Sequence, residues 1–189
     1  MPALAPSSRF ESERLVGEGF VLRPWRRSDL DGLLHHANHA DVVRGLSSRF
    51  PHPYTRADGE RFLSGGVVNL DDPVFAIEVD GQACGGIGAR PGEDDRRQSA
   101  ELGYWLGTSM WGRGLMSRVV ALYVPWAMQR LSLLRLQATV LPFNEASARV
   151  LLKNGFIEEG VARCALVKNG EPHDLRVFAK ARRSLCDAP

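Results

Sequence analysis

The sequence is poor in cysteine, has no long apolar run and carries no excess of one charge. Each of these absences removes a class of function. Its three cysteines, Cys84, Cys164 and Cys186, lie far apart and form no CxxC pair. Neither a disulfide framework nor a zinc site is expected, and a reducing, cytoplasmic setting fits best. No window approaches about eighteen uncharged apolar residues, so no membrane span is expected. The start, MPALAPSSRFESERL, lacks a basic stretch followed by a long apolar core and does not read as a secretory signal. Lysine plus arginine number 24 against 22 acidic residues, a formal net charge of +2. That balance argues against nucleic acid or an anionic membrane as the main partner. His35 and His39 stand four apart on a predicted helix, but no third ligand accompanies them, so no metal is expected.

What is present suits one α/β domain. The chain has 189 residues, 44% of them hydrophobic, enough for a sizeable core. Residues 1–12 are rich in Pro, Ala and Ser and are expected to fray, leaving one domain over 13–182 and a tail over 183–189. FVLRPW (20–25) reads as a strand closed by Pro24. Ser28 or Asp29 can cap a helix over DLDGLLHHANHADVV. Two prolines make 47–55 a loop, and Thr55 caps a second helix. Residues 74–89 read as a hairpin turning at Asp80–Gly81.

A strand over 99–107 leads into a glycine-rich loop, 108–114. Leu115, Val119, Leu122 and Trp126 then mark one face of a helix running to about Arg130. Pro125 lies inside that helix and should kink or divide it. RLQATVL (135–141) alternates as a strand. A helix capped by Asn144 and closed by Gly155 follows, then two strands joined near 168–172. The order predicts a mixed, mostly antiparallel twisted sheet flanked by helices.

The loop carries the chemistry. In SMWGRGLMSRVV (109–120), Gly112 and Gly114 stand where a helix is about to begin. A helix N-terminus presents orphan N–H groups and a partial positive charge. Glycines there let a bulky anion come close, which makes a phosphate site. The motif is neither a P-loop nor GxGxxG, so the two commonest nucleotide folds are excluded.

MWGRGLMS following ELGYWLG resembles the pyrophosphate loop of the GNAT superfamily of acetyl-coenzyme A-dependent N-acetyltransferases, whose pattern is Q/R-x-x-G-x-G/A. Gly112 and Gly114 match it, while Ser109 stands at the Q/R position. VLPFNEASARVLLKNGFIEEG (140–160) is similar to a second element of that family. ESERLVGEGFVLRPWRRSDLDGL and PHPYT resemble its RimJ/RimL branch, which acetylates N-termini of ribosomal proteins. The resemblance covers residues 11 to 181 or so.

The resemblance implies acetyl-coenzyme A as cosubstrate and a primary amine as acceptor, either a protein N-terminus or a small molecule. It implies coenzyme contacts from Trp105, Leu106, Met110, Trp111, Gly112, Arg113, Gly114, Leu115, Met116, Ser117 and Asn144. Arg113 would lie beside the phosphates, unless it is simply solvated. Glu101 is the candidate base: about six residues at ~3.3 Å each place it about 20 Å up the strand from the loop, comparable to an extended pantetheine arm. Otherwise it faces solvent or pairs with Arg96 or Arg97. Ser147 is the candidate donor to the leaving sulfur; the plainer reading of Asn144 and Ser147 is helix capping.

The family often uses a tyrosine as acid. None of Tyr54, Tyr104 and Tyr123 is expected there, which leaves water for the role. Arg118 stands where RimJ/RimL-type chains commonly carry Glu, so that residue's role does not carry over. Phe50, His52 and Tyr54 are candidate acceptor contacts, and the histidines of 35–39 are read as surface or cleft residues. An inactive acyl-coenzyme A sensor of the same fold is the alternative reading. A monomer or a homodimer is expected.

Overall fold

Alternation and turn chemistry together build the sheet. In the computed structural model, which describes residues 9–182, eight strands run β1 (Leu15–Gly17), β2 (Phe20–Pro24), β3 (Val74–Val79), β4 (Gln82–Pro91), β5 (Ser99–Leu106), β6 (Arg135–Val140), β7 (Ile157–Lys168) and β8 (Glu171–Ala181). Their spatial order is β1-β2-β3-β4-β5-β6-β8-β7, and every neighbouring pair is antiparallel except β5–β6. Asp80 and Gly81 both have positive φ, 49° and 81°, the mirror-image turn that matches strand twist. Asn169 and Gly170 close the last hairpin in the same way, at 52° and 82°. The mostly antiparallel sheet flanked by helices is as expected.

Five helices flank it: α1 (Leu30–Ala37), α2 (Ala40–Arg44), α3 (Arg56–Leu63), α4 (Leu115–Arg130) and α5 (Glu145–Lys153). Thr55 caps α3 in a reciprocal box with Asp58, and Asn144 Oδ1 accepts the Ser147 N–H to cap α5. Gly155, at φ 77°, follows α5 as its left-handed stop.

Three expectations need correcting. The single helix over 29–43 is two, broken at Asn38 and His39. The Asn38 side chain accepts the Tyr54 N–H at 2.9 Å, and His39 turns extended to cap α2. Both are tertiary and capping demands that a helical period cannot reveal. α4 runs to Arg130 as expected, and of the two outcomes set for Pro125, a kink or a division, the division does not occur, because Val119, Val120, Tyr123, Val124 and Ala127 are all buried and hold the helix to the sheet. β1 was not anticipated; three residues pair with β2 across a turn at Gly19. Of the stretch expected to fray, residues 1–8 lie outside the described residues, as does the tail 183–189. Phe10 within it is buried, edge-on to Phe75 and Trp126.

The sheet separates two apolar clusters. The larger holds Leu22, Ile77, Ile87, Leu102, Leu136 and Phe178 beneath α4 and α5. The smaller gathers Leu33, Ala37, Tyr54 and Phe62, with Trp25, Phe50 and Trp105 packed against them. Arg23 is buried and ties the start of α1 to the sheet. It meets Asp29 at 2.7 and 2.8 Å and Glu78 at 2.5 Å.

Candidate active site

The one parallel seam decides where a site can form. β5 and β6 pair only over Ser99–Arg135, Ala100–Leu136 and Glu101–Gln137. Beyond Glu101 each strand follows its other neighbour, β5 staying with β4 as far as Leu106 and β6 staying with β8 as far as Val140. A wedge opens between them. The β5 edge from Leu102 to Leu106 therefore turns backbone groups into the wedge, a template for another extended chain.

The glycine-rich loop lies at the wide end of that edge. After Gly107 the chain makes a short 3-10 turn over Thr108–Met110. Gly112 and Gly114 then take φ of 75° and 67°, in the left-handed region that disfavours a side chain. A Cβ at Gly112 would meet nothing within 4 Å, so the space above this backbone is open. Gly114 caps α4 without any side-chain hydrogen bond. The helix's first N–H groups thus keep the partial positive charge of an unsatisfied N-terminus.

The neighbouring side chains mostly brace this loop. Trp111 donates its indole N–H to Leu106 O at 2.8 Å, and Arg118 donates to Arg113 O at 3.1 Å. Arg118, which replaces the expected acidic residue, thereby supports the loop. Leu115 is buried, Met110 and Met116 pack on the larger cluster, and Ser117 is held by Asn154 at 3.2 Å. Arg113 is exposed.

Strand alternation sends the remaining β5 side chains to opposite faces. Glu101, Gly103 and Trp105 share the face of α1 and α3, opposite Arg90, Gly88 and Gly86 of β4. A Cβ on Gly103 would meet nothing within 4 Å, which leaves the floor between Glu101 and Trp105 clear. Glu101 is partly exposed and pairs with Arg90, Nη2 to Oε2 at 2.6 Å, not with Arg96 or Arg97. Its Oε1 carries no hydrogen bond among the described residues. Trp105 lies near-parallel to Trp25 and edge-on to Phe50, whose ring is 5.0 Å from that of Tyr54. Of the three expected acceptor contacts, Phe50 and Tyr54 therefore join this aromatic wall and His52 is exposed. Burial pushes the Tyr54 hydroxyl up to about 12.

On the other face a tyrosine does stand at the wedge, contrary to expectation. Tyr104 Oη lies 2.8 Å from Ser147 Oγ and 3.2 Å from Ser147 O. Burial is the larger influence on its pKa, raising it to about 12, with the Ser147 bond pulling the other way. The signal was available in the parity of the strand: Ala100, Leu102 and Leu106 are apolar and buried, and Tyr104 falls in the same series. Asn144 caps α5 and so fixes Ser147 in the first turn, the plainer reading of that pair.

The end of α2 closes over this region. A Cβ on Gly45 would sit 3.0 Å from Asn144 Nδ2, and the Arg44 guanidinium lies over the Phe143 ring at 4.6 Å. Lys168, from the tip of the β7–β8 hairpin, donates to Val43 O, Arg44 O and Leu46 O at 2.8, 3.0 and 2.6 Å. Its ammonium satisfies the orphan carbonyls at a helix C-terminus. His36 is buried against Gly107, so it is not a surface residue. Burial, then neighbouring His35, lowers its pKa. No cluster of three or more His, Cys, Asp and Glu able to hold a metal occurs among the described residues. Nor is any described helix long and apolar enough to cross a membrane.

Residues 20–157 match the acetyltransferase (GNAT) domain family. The chain belongs to the GNAT acetyltransferase family. It is 39% identical over 84 residues to the uncharacterized N-acetyltransferase YoaA of Bacillus subtilis, covering 44% of this chain and 48% of that one. It is 34% identical over 104 residues to the putative ribosomal N-acetyltransferase YdaF of the same organism, covering 55% of this chain and 56% of that one. The chain thus spans about half the length of these relatives. Among solved structures, RimL, a ribosomal-protein alpha-N-acetyltransferase in complex with coenzyme A, shares the GNAT fold. Its TM-score is 0.78 at 22% identity, over 89% of this chain and 98% of that one. The RimJ/RimL-like resemblance stands.

Proposed function

We propose that this GNAT chain transfers an acetyl group from acetyl-coenzyme A to a primary amine, by direct attack with both reactants bound. One observation carries the reading: the free β5 edge has an open glycine cradle at one end and a carboxylate at the other. The cradle fits a pyrophosphate, because its positive-φ glycines and uncapped helix N-terminus leave amides bare and space above them. Gly112, Gly114, Leu115 and Met116 would hold the phosphates by backbone N–H groups, with Met110, Trp111, Arg113 and Ser117 around them. The edge at Leu106 would pair with the amides of the pantetheine arm, and Asn144 would flank its thiol end. Trp105 turns to the acceptor face and shapes that pocket instead.

The coenzyme, when bound, supplies an acetyl group activated as a thioester, so the protein needs no nucleophile of its own. What remains is to align the amine and to move a proton. Glu101 takes the ammonium proton on Oε1, directly or through water, while Arg90 holds Oε2. Ser147, on the opposite face, donates a hydrogen bond to the sulfur as the carbon–sulfur bond breaks. Acceptor and coenzyme thus approach from opposite faces of one strand.

A protein N-terminus is the acceptor favoured here. An α-amine has a pKa of ~7.7–8.0 against ~10.4 for lysine, so it needs less help from a base. The ribosomal N-acetyltransferase name of a relative supports the same class. The test is coenzyme A release across free-N-terminal peptides, lysine peptides, polyamines and aminoglycosides, with product masses. Acetylation of the peptide N-terminus is the expected result. Silence across the panel with acetyl-coenzyme A firmly bound would favour the sensor alternative.

A further inference from the structure

We infer that Tyr104 is a positioning residue that turns the Ser147 hydroxyl into a donor aimed at the wedge. The inference rests on the acetyltransferase reading above and assigns a cause to the Ser147 role within it.

Tyr104 and Ser147 each have a single hydroxyl hydrogen and lone pairs to accept another. Their oxygens are 2.8 Å apart, the ordinary separation for O–H···O, so one of the two donates to the other. If the serine donates, its hydrogen is spent on the tyrosine and none faces the sulfur. If the tyrosine donates, the serine hydrogen is free. The second acceptor within reach of Tyr104, Ser147 O, is 3.2 Å away, beyond the usual range for a hydroxyl donor. The nearer Oγ is therefore the better acceptor for the tyrosine hydrogen.

Three features support that direction. Tyr104 is held in its neutral, proton-bearing form by burial, which raises its pKa to about 12. Tyr104 Oη is the one hydrogen-bond partner of Ser147 Oγ among the described residues, since the cap of α5 runs from the Ser147 N–H to Asn144 Oδ1 and does not use the hydroxyl. A serine in a helix otherwise tends to return its hydrogen to the carbonyl of the preceding turn. Among the described residues Ser147 Oγ makes no such bond, so with Tyr104 donating to it the serine hydrogen is left free for a group in the wedge. During transfer the carbon–sulfur bond breaks and its electron pair goes to sulfur. Ser147 donates a hydrogen bond to that sulfur, which takes its proton from solvent, and Tyr104 keeps its own proton throughout.

The experiment is a double-mutant cycle of Tyr104→Phe and Ser147→Ala with two readouts. The first needs no acceptor: the affinity for coenzyme A relative to desulfo-coenzyme A, which lacks the thiol, measured by calorimetry at a pH where the thiol is ionised. The wild type is expected to prefer coenzyme A, and each single variant to lose most of that preference. The second is turnover with the best amine of the panel. Tyr104→Phe should lower kcat about tenfold, the size of one hydrogen bond, with the acetyl-coenzyme A KM little changed. Added to Ser147→Ala it should do no further harm. Thermal melting of each variant reports whether it folds.

A Tyr104→Phe effect that persists in full in the Ser147→Ala background overturns the proposal, since Tyr104 would then act by packing. So does a Tyr104→Phe protein with an unaltered thiol preference beside an impaired Ser147→Ala protein. Wild type that binds both coenzymes equally removes the Ser147 role, and this inference with it. Wild type that binds neither fells the acetyltransferase reading itself.

Discussion

The two ends of the β5 edge are built by different means. The loop that enters α4 is local: Gly112, Gly114, Leu115 and the Trp111 and Arg118 braces all lie within about a dozen residues of Leu106. The face around Glu101 is assembled from distant pieces. Trp25 meets Trp105, Arg90 meets Glu101, and Phe50 comes edge-on to Trp105. In the proposed reaction the first end would hold the coenzyme and the second the acceptor. A local motif depends on its own few residues, while a composite face depends on every segment that contributes to it.

The comparison can be broken from either side. The largest effect is expected for Glu101→Gln, which should lower kcat/KM by about 10²–10⁴ while calorimetry finds coenzyme affinity unchanged. A loss of coenzyme binding in that variant would merge the two ends into one. Next, Gly112→Val with Gly114→Val should weaken coenzyme binding by about a hundredfold, ~2.7 kcal/mol. Left-handed backbone disfavours each valine by ~1–2 kcal/mol, and its side chain fills the space over the amides. Retained affinity would show that the cradle is elsewhere.

A smaller, one-sided effect is expected at Lys168. Lys168→Met removes the donor to three carbonyls at the end of α2, which packs on Asn144, and the acetyl-coenzyme A KM should rise up to about tenfold with the acceptor KM little changed. An equal change in both constants would mean that the hairpin tip serves the whole fold. The smallest effect concerns His36, which packs against Gly107 at the start of the loop. Its pKa is lowered in the fold from the ordinary 6.5, so the native state favours the neutral ring. Its contribution is complete above pH 6.5 and is lost as pH falls from there through the folded value. The melting temperature should fall between pH 7.5 and 5.5, and the fall should shrink in His36→Gln; an unchanged fall would place the acid sensitivity in other groups.

Legibility along the chain followed how local each cause was. The hairpin at Asp80–Gly81, the caps at Thr55 and Asn144 and the bounds of α4 depend on residues a few positions apart, and all were readable. β1 was missed because three residues are too few to show alternation. The break at Asn38 was missed because Tyr54, sixteen positions on, makes the bond responsible. Tyr104 was readable in principle from strand parity, but nothing local announced that α5 would bring Ser147 to it from 43 positions away. Arg90 was missed as the partner of Glu101 for the same reason: the β4–β5 register, not sequence proximity, sets them side by side.

The sequence by itself determined most of the element types, the turn geometry, the glycine-rich loop and the family, because backbone sterics and helix-end chemistry act over one or two turns. Only the tertiary structure decided where β5 and β6 part, which face Glu101 and Tyr104 each occupy, and which cations meet which carbonyls and carboxylates. Those outcomes depend on strand register and on packing across the sheet, where each contact joins residues that no local pattern relates.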